Sequence, residues 1–248
     1  MPDAVEIKLS QLAAQSAASA AAGAALWTLP TAIGGLFLEY TGPNSLRVLS
    51  GAAYIPGLGT LLDVPNTINK TGLSLAASTH YHAYLYRNGA APDIEIATTV
   101  PAIYRGRSRI KAGDPTRRYV GTFITSASSQ IFNFYHDDEG VMYWEKQDGA
   151  PFRVLPNGKQ TTDTAVSCAA CVPITSHHAI VRLINLSNTV MVTGMSDGSK
   201  AWSALSPNEK SFPKHPLNAN QELTYRFTSN VTNTDGGYID VYGYALER

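Results

Sequence analysis

The chain has 248 residues, of which 44% are hydrophobic and only 15% charged, and its nineteen basic side chains balance its nineteen acidic ones. Ordinary globular chains carry roughly 25% charged residues, so a strongly solvated, disordered chain is excluded and some surface is expected to be buried in an oligomer. The balanced charge gives no support to nucleic-acid binding, which needs a positive excess or a concentrated patch, nor to attraction by anionic membranes.

The first thirty residues are rich in alanine, the best helix former. Asp3 suits the N-cap of a helix over residues 3–26. Val5, Leu9, Leu12, Ser16, Ser19, Gly23 and Leu26 follow a 4-3-4-3-4-3 spacing, a heptad seam with small residues in its middle. Packed against copies of itself, such a seam allows close backbone approach, which makes Val5, Leu9, Leu12 and Leu26 the candidate oligomerisation residues. Docking of a single helix on its own domain, or a frayed arm, are the alternatives. Gln11, Gln15, Ser16 and Ser19 make the segment too polar to span a membrane. It also lacks the basic start and leucine-rich core of a signal peptide, so synthesis in a cytoplasm is expected.

After Pro30 the pattern changes to short β-like runs separated by turn residues. Strands are predicted over residues 36–40, 45–55, 72–75 and 79–86. In the last of these, Tyr81, Ala83 and Leu85 point one way and His80, His82, Tyr84 and Tyr86 the other. Asn88-Gly89 predicts a tight hairpin, with the return strand over 93–98. Further strands are predicted over 119–125, 130–136 and 141–145. Residues 147–164 have little periodicity and read as a boundary or long loop. A long aliphatic run over 179–195 ends at Asp197-Gly198, and strands are predicted over 222–228 and 238–246. In the final one, Tyr238, Asp240, Tyr242 and Tyr244 share a face.

The fold class is therefore mainly β: a short N-terminal α-helix (1–30), a first β module (31–146), a linker (147–170) and a C-terminal β-sandwich module (171–248). The modules are expected to be antiparallel sandwiches or jelly rolls, because no long amphipathic helices separate the strands.

The run Leu46-Arg47-Val48 to Gly51-Ala52-Ala53-Tyr54-Ile55-Pro56, with His80-Tyr81-His82-Ala83-Tyr84-Leu85-Tyr86 after it, resembles the opening of phage or prophage tail-fibre and baseplate-type virion proteins. Tyr104-Arg105-Gly106 and the stretch from Gly113-Asp114-Pro115 to Arg117-Arg118-Tyr119-Val120-Gly121 continue the likeness over residues 36–143. The C-terminal Tyr238-Ile239-Asp240-Val241-Tyr242-Gly243-Tyr244 is similar to the terminal sandwiches of such proteins. The resemblance implies a homotrimer located in the virion, partnered by other virion proteins and by a host-surface glycan or protein. No cofactor, no nucleic-acid partner and no membrane insertion are expected.

Several clusters bear on chemistry. Cys168 and Cys171 have CxxC spacing, but a redox reading needs a βαβ setting and a zinc reading needs two more ligands. A pair of small buried residues is the simpler alternative. His80 and His82 share a strand face and form either a metal pair or neighbours of tyrosines. Arg105, Arg107, Arg109, Lys111, Arg117 and Arg118 form the basic cluster, suited to salt bridges or to carboxylate and phosphate groups. Asp137, Asp138 and Glu139 read as a solvated turn, since hydrolytic carboxylates must face each other across a substrate. Three glycosylation sequons, beginning at Asn69, Asn185 and Asn230, read as chance. No nucleophile elbow, HExxH or phosphate-binding glycine loop is present.

Tyr238, Tyr242 and Tyr244, with Arg117 and Arg118, are the candidate binding residues, the tyrosines as a carbohydrate platform or a protein interface. The expected function is a non-enzymatic structural or adhesion component of a phage tail or baseplate. A head fibre or capsid decoration protein, a glycan-degrading tailspike enzyme and a lectin-like module are the alternatives.

Overall fold

A computed structural model describes residues 31–145, 148–195, 201–246 and 248. The helix expected over 1–30, with Val5, Leu9, Leu12 and Leu26, lies outside the described residues, as does the Asp197-Gly198 turn. Among the described residues the fold is mainly β, with antiparallel pairing throughout.

The N-terminal half is built on a five-stranded sheet in the order Ala91–Ala97, His80–Asn88, Asp114–Ile124, Ser108–Lys111, Pro101–Arg105. The expected hairpin is present, with Asn88 paired to Ala91 and Gly89 left-handed at φ 61°. Two three-stranded sheets precede it: Ile33–Gly35, Gly51–Ile55 and Thr60–Val64 in one, Leu38–Gly42, Ser45–Val48 and Ile68–Lys70 in the other. The single strand predicted over 45–55 is thus two strands in two sheets. Residues 72–75, also predicted as strand, form none. Tyr81, Ala83 and Leu85 belong to the hydrophobic core, as the alternation predicts, together with Leu38, Leu46, Val48 and Ile55.

The C-terminal half is an eight-stranded sandwich. One sheet runs Arg153–Gly158, Gly237–Tyr244, His178–Asn185, then the broken edge of Lys210–Ser211 and Lys214–Pro216. The other runs Thr164–Ser167, Glu222–Phe227, Met191–Met195, Ala201–Leu205. In chain order the strands distribute between the sheets as in a jelly roll. Its first two strands come from the stretch read as linker, whose Gly, Pro and Asn content masks its pairing. The aliphatic run over 179–195 is likewise two strands, one in each sheet. The corner between them is made by Asn185, whose side-chain oxygen accepts from the Ser187 N–H at 2.9 Å while its amide donates to the Thr189 carbonyl at 2.8 Å. The sheets meet closely enough that a Cβ on Gly158 would lie 2.6 Å from the Tyr225 ring.

The halves are joined by the hairpin of Phe134–His136 and Val141–Tyr143, which pairs with Gly237–Tyr244. The Leu38 N–H donates to His136 Nδ1 at 2.9 Å, and Arg248 donates to the Gly35 carbonyl at 2.8 Å. The Tyr244 hydroxyl donates to the Thr122 carbonyl at 2.7 Å, reaching from the jelly roll into the five-stranded sheet.

Tyr244 can do this because of a β-bulge. Gly237–Tyr244 pairs with His178–Asn185 in register up to Val241↔Val181, then resumes at Gly243↔Ile180. The extra residue, Tyr242, shifts the parity of Gly243 and Tyr244 relative to the residues before it. The alternation that sets Tyr244 beside Tyr238 and Tyr242 is therefore corrected: Tyr244 is fully buried, while the other two are half-buried. Tyr244→Phe keeps the ring and removes this cross-half hydrogen bond. It is expected to lower unfolding stability by about 1–3 kcal/mol in urea titration, with an unchanged far-ultraviolet circular dichroism spectrum.

Candidate functional site

The outer face of Gly237–Tyr244 carries a row of aromatic and cationic side chains. The Arg153 guanidinium lies 5.1 Å from the Tyr238 ring centre, and that of Arg182 lies 5.3 Å from the Tyr242 ring centre. Asp240 stands between them, fully buried. Arg153 Nε donates to its Oδ1 at 2.7 Å, and Arg182 Nη2 to its Oδ2 at 2.5 Å. The carboxylate so fixes both guanidiniums against their tyrosines, and it holds Arg153 above its ordinary pKa. Phe212, exposed on the neighbouring edge, meets the Tyr242 ring edge-on at 5.8 Å. Phe212, Arg153 and Arg182 are the members of this surface that sequence reasoning missed, and Asp240, placed on the face with the tyrosines, was not recognised as the group that organises it. They converge from four separate segments, and the only local signal was the outward alternation of Tyr238, Asp240 and Tyr242. Such a face can stack on flat or CH-rich groups.

The two candidate arginines separate. Arg117 is half-exposed, donates from Nε to Glu95 at 2.7 Å and lies 4.1 Å from the Tyr86 ring centre. Lys111 pairs with the same Glu95. Arg118 is wholly buried and gives its hydrogen bonds to the Arg109 carbonyl at 2.8 Å, to Ser108 Oγ at 3.2 Å and to the Thr31 carbonyl at 3.4 Å. Burial, with Arg248 nearby, pushes its pKa down to about 10. As a surface binding residue Arg118 is therefore corrected: it ties the sheet to the chain entering at Thr31. The bulge at Val120, between the pairs Tyr119↔Tyr84 and Gly121↔Ala83, accounts for the change of face within this strand.

His80 and His82 do share a face, but that face is partly covered, with His82 buried and His80 half-buried. The covering is the segment from Cys168 to Ser176. His82 Nδ1 lies 2.7 Å from Thr122 Oγ1, and the Tyr119 hydroxyl lies 2.7 Å from the same atom and 3.1 Å from Thr175 Oγ1. His80 Nε2 donates to the Ala169 carbonyl at 3.0 Å. Cys168 and Cys171 are free and buried, and burial pushes the Cys168 thiol up to about 12. Among the described residues no group of three or more His, Cys, Asp and Glu side chains is placed to hold a metal ion. Asp137 closes its turn by accepting the Glu139 N–H at 2.9 Å, and Asp138 stands in solvent. No helix among the described residues is long and apolar enough to cross a membrane.

No known protein-family model matches the chain, and no curated protein does.

These geometries set two expected outcomes. Asp240→Asn leaves two arginines facing each other without their shared anion. Because both arginines keep some contact with water, the loss is expected near the lower end of that for a broken buried pair, about 3 kcal/mol in urea denaturation. Burial also holds the His82 imidazole at about 4 and His136 at about 3. The His136 cation would in addition require a proton on Nδ1, where the Leu38 N–H already donates. Between these values and the ordinary 6.5, the unfolded chain binds more protons than the folded one, so stability rises with pH. It is complete above about pH 6.5 and is lost progressively toward pH 4, by about 3 kcal/mol through His82 alone. Urea midpoints should fall as the pH is lowered through this window, and His82→Gln should flatten the slope.

Proposed function

We propose that the protein is a non-enzymatic structural or adhesion component of a phage particle, of the tail-fibre or baseplate kind, acting as a homotrimer. The observation that carries the reading is the row of Tyr238, Tyr242 and Phe212 on the outer face of a jelly-roll sheet, oriented by Arg153 and Arg182. Jelly rolls serve in viral capsid and lectin domains. Aromatic residues and arginine are the residue types enriched at interface cores. Further exposed aromatics, Trp144, Trp202 and Tyr135, extend the apolar surface available to neighbouring subunits or to a host glycan.

The low charge of the chain supports the same reading, since oligomer surfaces need fewer solvating groups. A multivalent particle protein would act through several weak contacts at high effective concentration. A head fibre or capsid decoration protein fits the same surface, the difference lying in which virion surface receives it. The carboxylates provide little support for a glycan-degrading enzyme: Asp240 is held by two arginines and Asp137 closes a turn. A lectin-like module is the second reading, favoured by the stacking geometry at Tyr238 and Tyr242.

Absolute mass by light scattering, for the full chain and for a version starting at Thr31, tests the assembly. A threefold mass that falls on truncation is the expected result and assigns assembly to the N-terminal seam. A threefold mass that survives truncation moves the interface to the β modules. A single-chain mass for the full protein overturns the trimeric reading and leaves the lectin-like one.

A further inference from the structure

We infer that two clefts flanking His80, at the junction of the five-stranded sheet and the jelly roll, form a binding site for an uncharged saccharide unit. The inference deepens the adhesion reading, on which it rests for a host glycan as the natural source of that unit.

The larger cleft, of about 440 Å³, is lined by Ser78, Ser126, Ser128, Phe132 and Pro151 among others. The smaller, of about 280 Å³, is lined by His82, Val100, Ile174 and Gln221 among others. His80 and Ala169 belong to both walls. The larger alone reaches the size of ordinary small-molecule sites, about 300–1,000 Å³, and the smaller adjoins it across His80 and Ala169. Among the described residues no Asp, Glu, Lys or Arg lines either cleft. A charged ligand entering here would lose water and gain no counter-charge, at a cost of several kcal/mol. A neutral ligand with hydroxyls and CH faces meets hydroxyl, imidazole and amide groups set among Phe132, Pro151, Val172 and Ile174.

Two polar atoms give the site its hydrogen-bonding character. His80 Nδ1 and Gln221 Nε2 are buried and have no hydrogen-bond partner among the described residues. His80 Nε2 faces the Ala169 carbonyl and must donate to it, so in the neutral ring Nδ1 is an acceptor. Burial holds the imidazole below its ordinary pKa and keeps it neutral. Gln221 Nε2 is a donor. One acceptor and one donor are what a hydroxyl group, itself donor and acceptor, requires. Both side chains line the clefts while these two atoms are themselves buried, so a ligand reaches them through side-chain rotation.

The backbone adds a second observation. Gln221 and Ser78, one on each cleft, are non-glycine residues in the left-handed region, at φ 57° and 49°. Gln221 is also only 4% exposed. A buried amide whose Nε2 has no partner, on a left-handed backbone, is destabilising on both counts, and such combinations concentrate at ligand sites.

Saturation-transfer NMR on the full chain tests the site, with glucose, galactose, mannose and N-acetylglucosamine as probes and glucuronate as the charged comparator. At least one neutral sugar is expected to bind, with glucuronate about tenfold weaker or more, equivalent to about 1.4 kcal/mol. Gln221→Gly removes the amide and suits the left-handed backbone. It should keep the fold by circular dichroism and weaken binding about tenfold. Ile174→Arg, at an exposed rim position, lays a long charged side chain over the smaller cleft and should abolish binding. Tyr242→Ala, on the distant sheet face, should leave it unchanged. The inference is overturned if no neutral sugar binds, if glucuronate binds equally well, or if binding survives both cleft variants. Loss in Tyr242→Ala alone would move the sugar to the jelly-roll face and overturn the cleft while the adhesion reading stands.

Discussion

Thr122 joins two distant parts of the chain to its own strand. Its hydroxyl meets His82 and Tyr119, and its carbonyl accepts from Tyr244 near the C-terminus. Around this point the five-stranded sheet is buried on its second face, and polar side chains fill that face. Water cannot satisfy them there, so each must find a partner inside the protein. The partners are supplied by the segment from Cys168 to Ser176 and by the last jelly-roll strand. A buried polar layer tolerates few alternative arrangements, because slipping one group leaves several unpaired. This constraint ties the jelly roll to the sheet in one arrangement.

Two bulges make the layer possible. Val120 and Tyr242 each add one residue to a long strand, and each shifts which side chains face inward. Strict alternation would leave Tyr244 in solvent, away from Thr122. Part of the strand pattern was legible in the sequence, and the hairpin at Asn88-Gly89 too, because turn chemistry and period-2 patterning are local. It also revealed the inward face of Tyr81, Ala83 and Leu85. A bulge leaves no comparable local mark in these strands, so the faces of Tyr244 and Arg118 could not be read. The corner at Asn185 was hidden in the same way: Asn185 to Thr189 reads as part of an aliphatic run until its side-chain hydrogen bonds are known.

The candidate surface was legible only in its tyrosines. Tyr238 and Tyr242 lie two on either side of Asp240, and outward alternation suffices to place them together. Their orientation depends on Arg153 and Arg182, which come from two other strands. No spacing in the sequence links these residues to Asp240. The acid is fully buried although it faces outward, because the two guanidiniums cover it. A central carboxylate thus organises a face whose exposed character is aromatic and cationic.

The cleft and the sheet face divide the chemistry of recognition between them. On the sheet face, Asp240 offsets only one of the two guanidinium charges, so contact there combines ring area with a residual positive charge and tolerates many partners. At the junction cleft the described lining carries no charged side chain, and the acceptor and donor of His80 and Gln221 discriminate by hydrogen bonding. Apolar stacking yields modest selectivity, whereas buried polar groups reject ligands that leave them unpaired. A protein carrying both can assemble through the first and read a ligand through the second. That division would let a weak, specific site gain avidity from assembly without any change in the site itself.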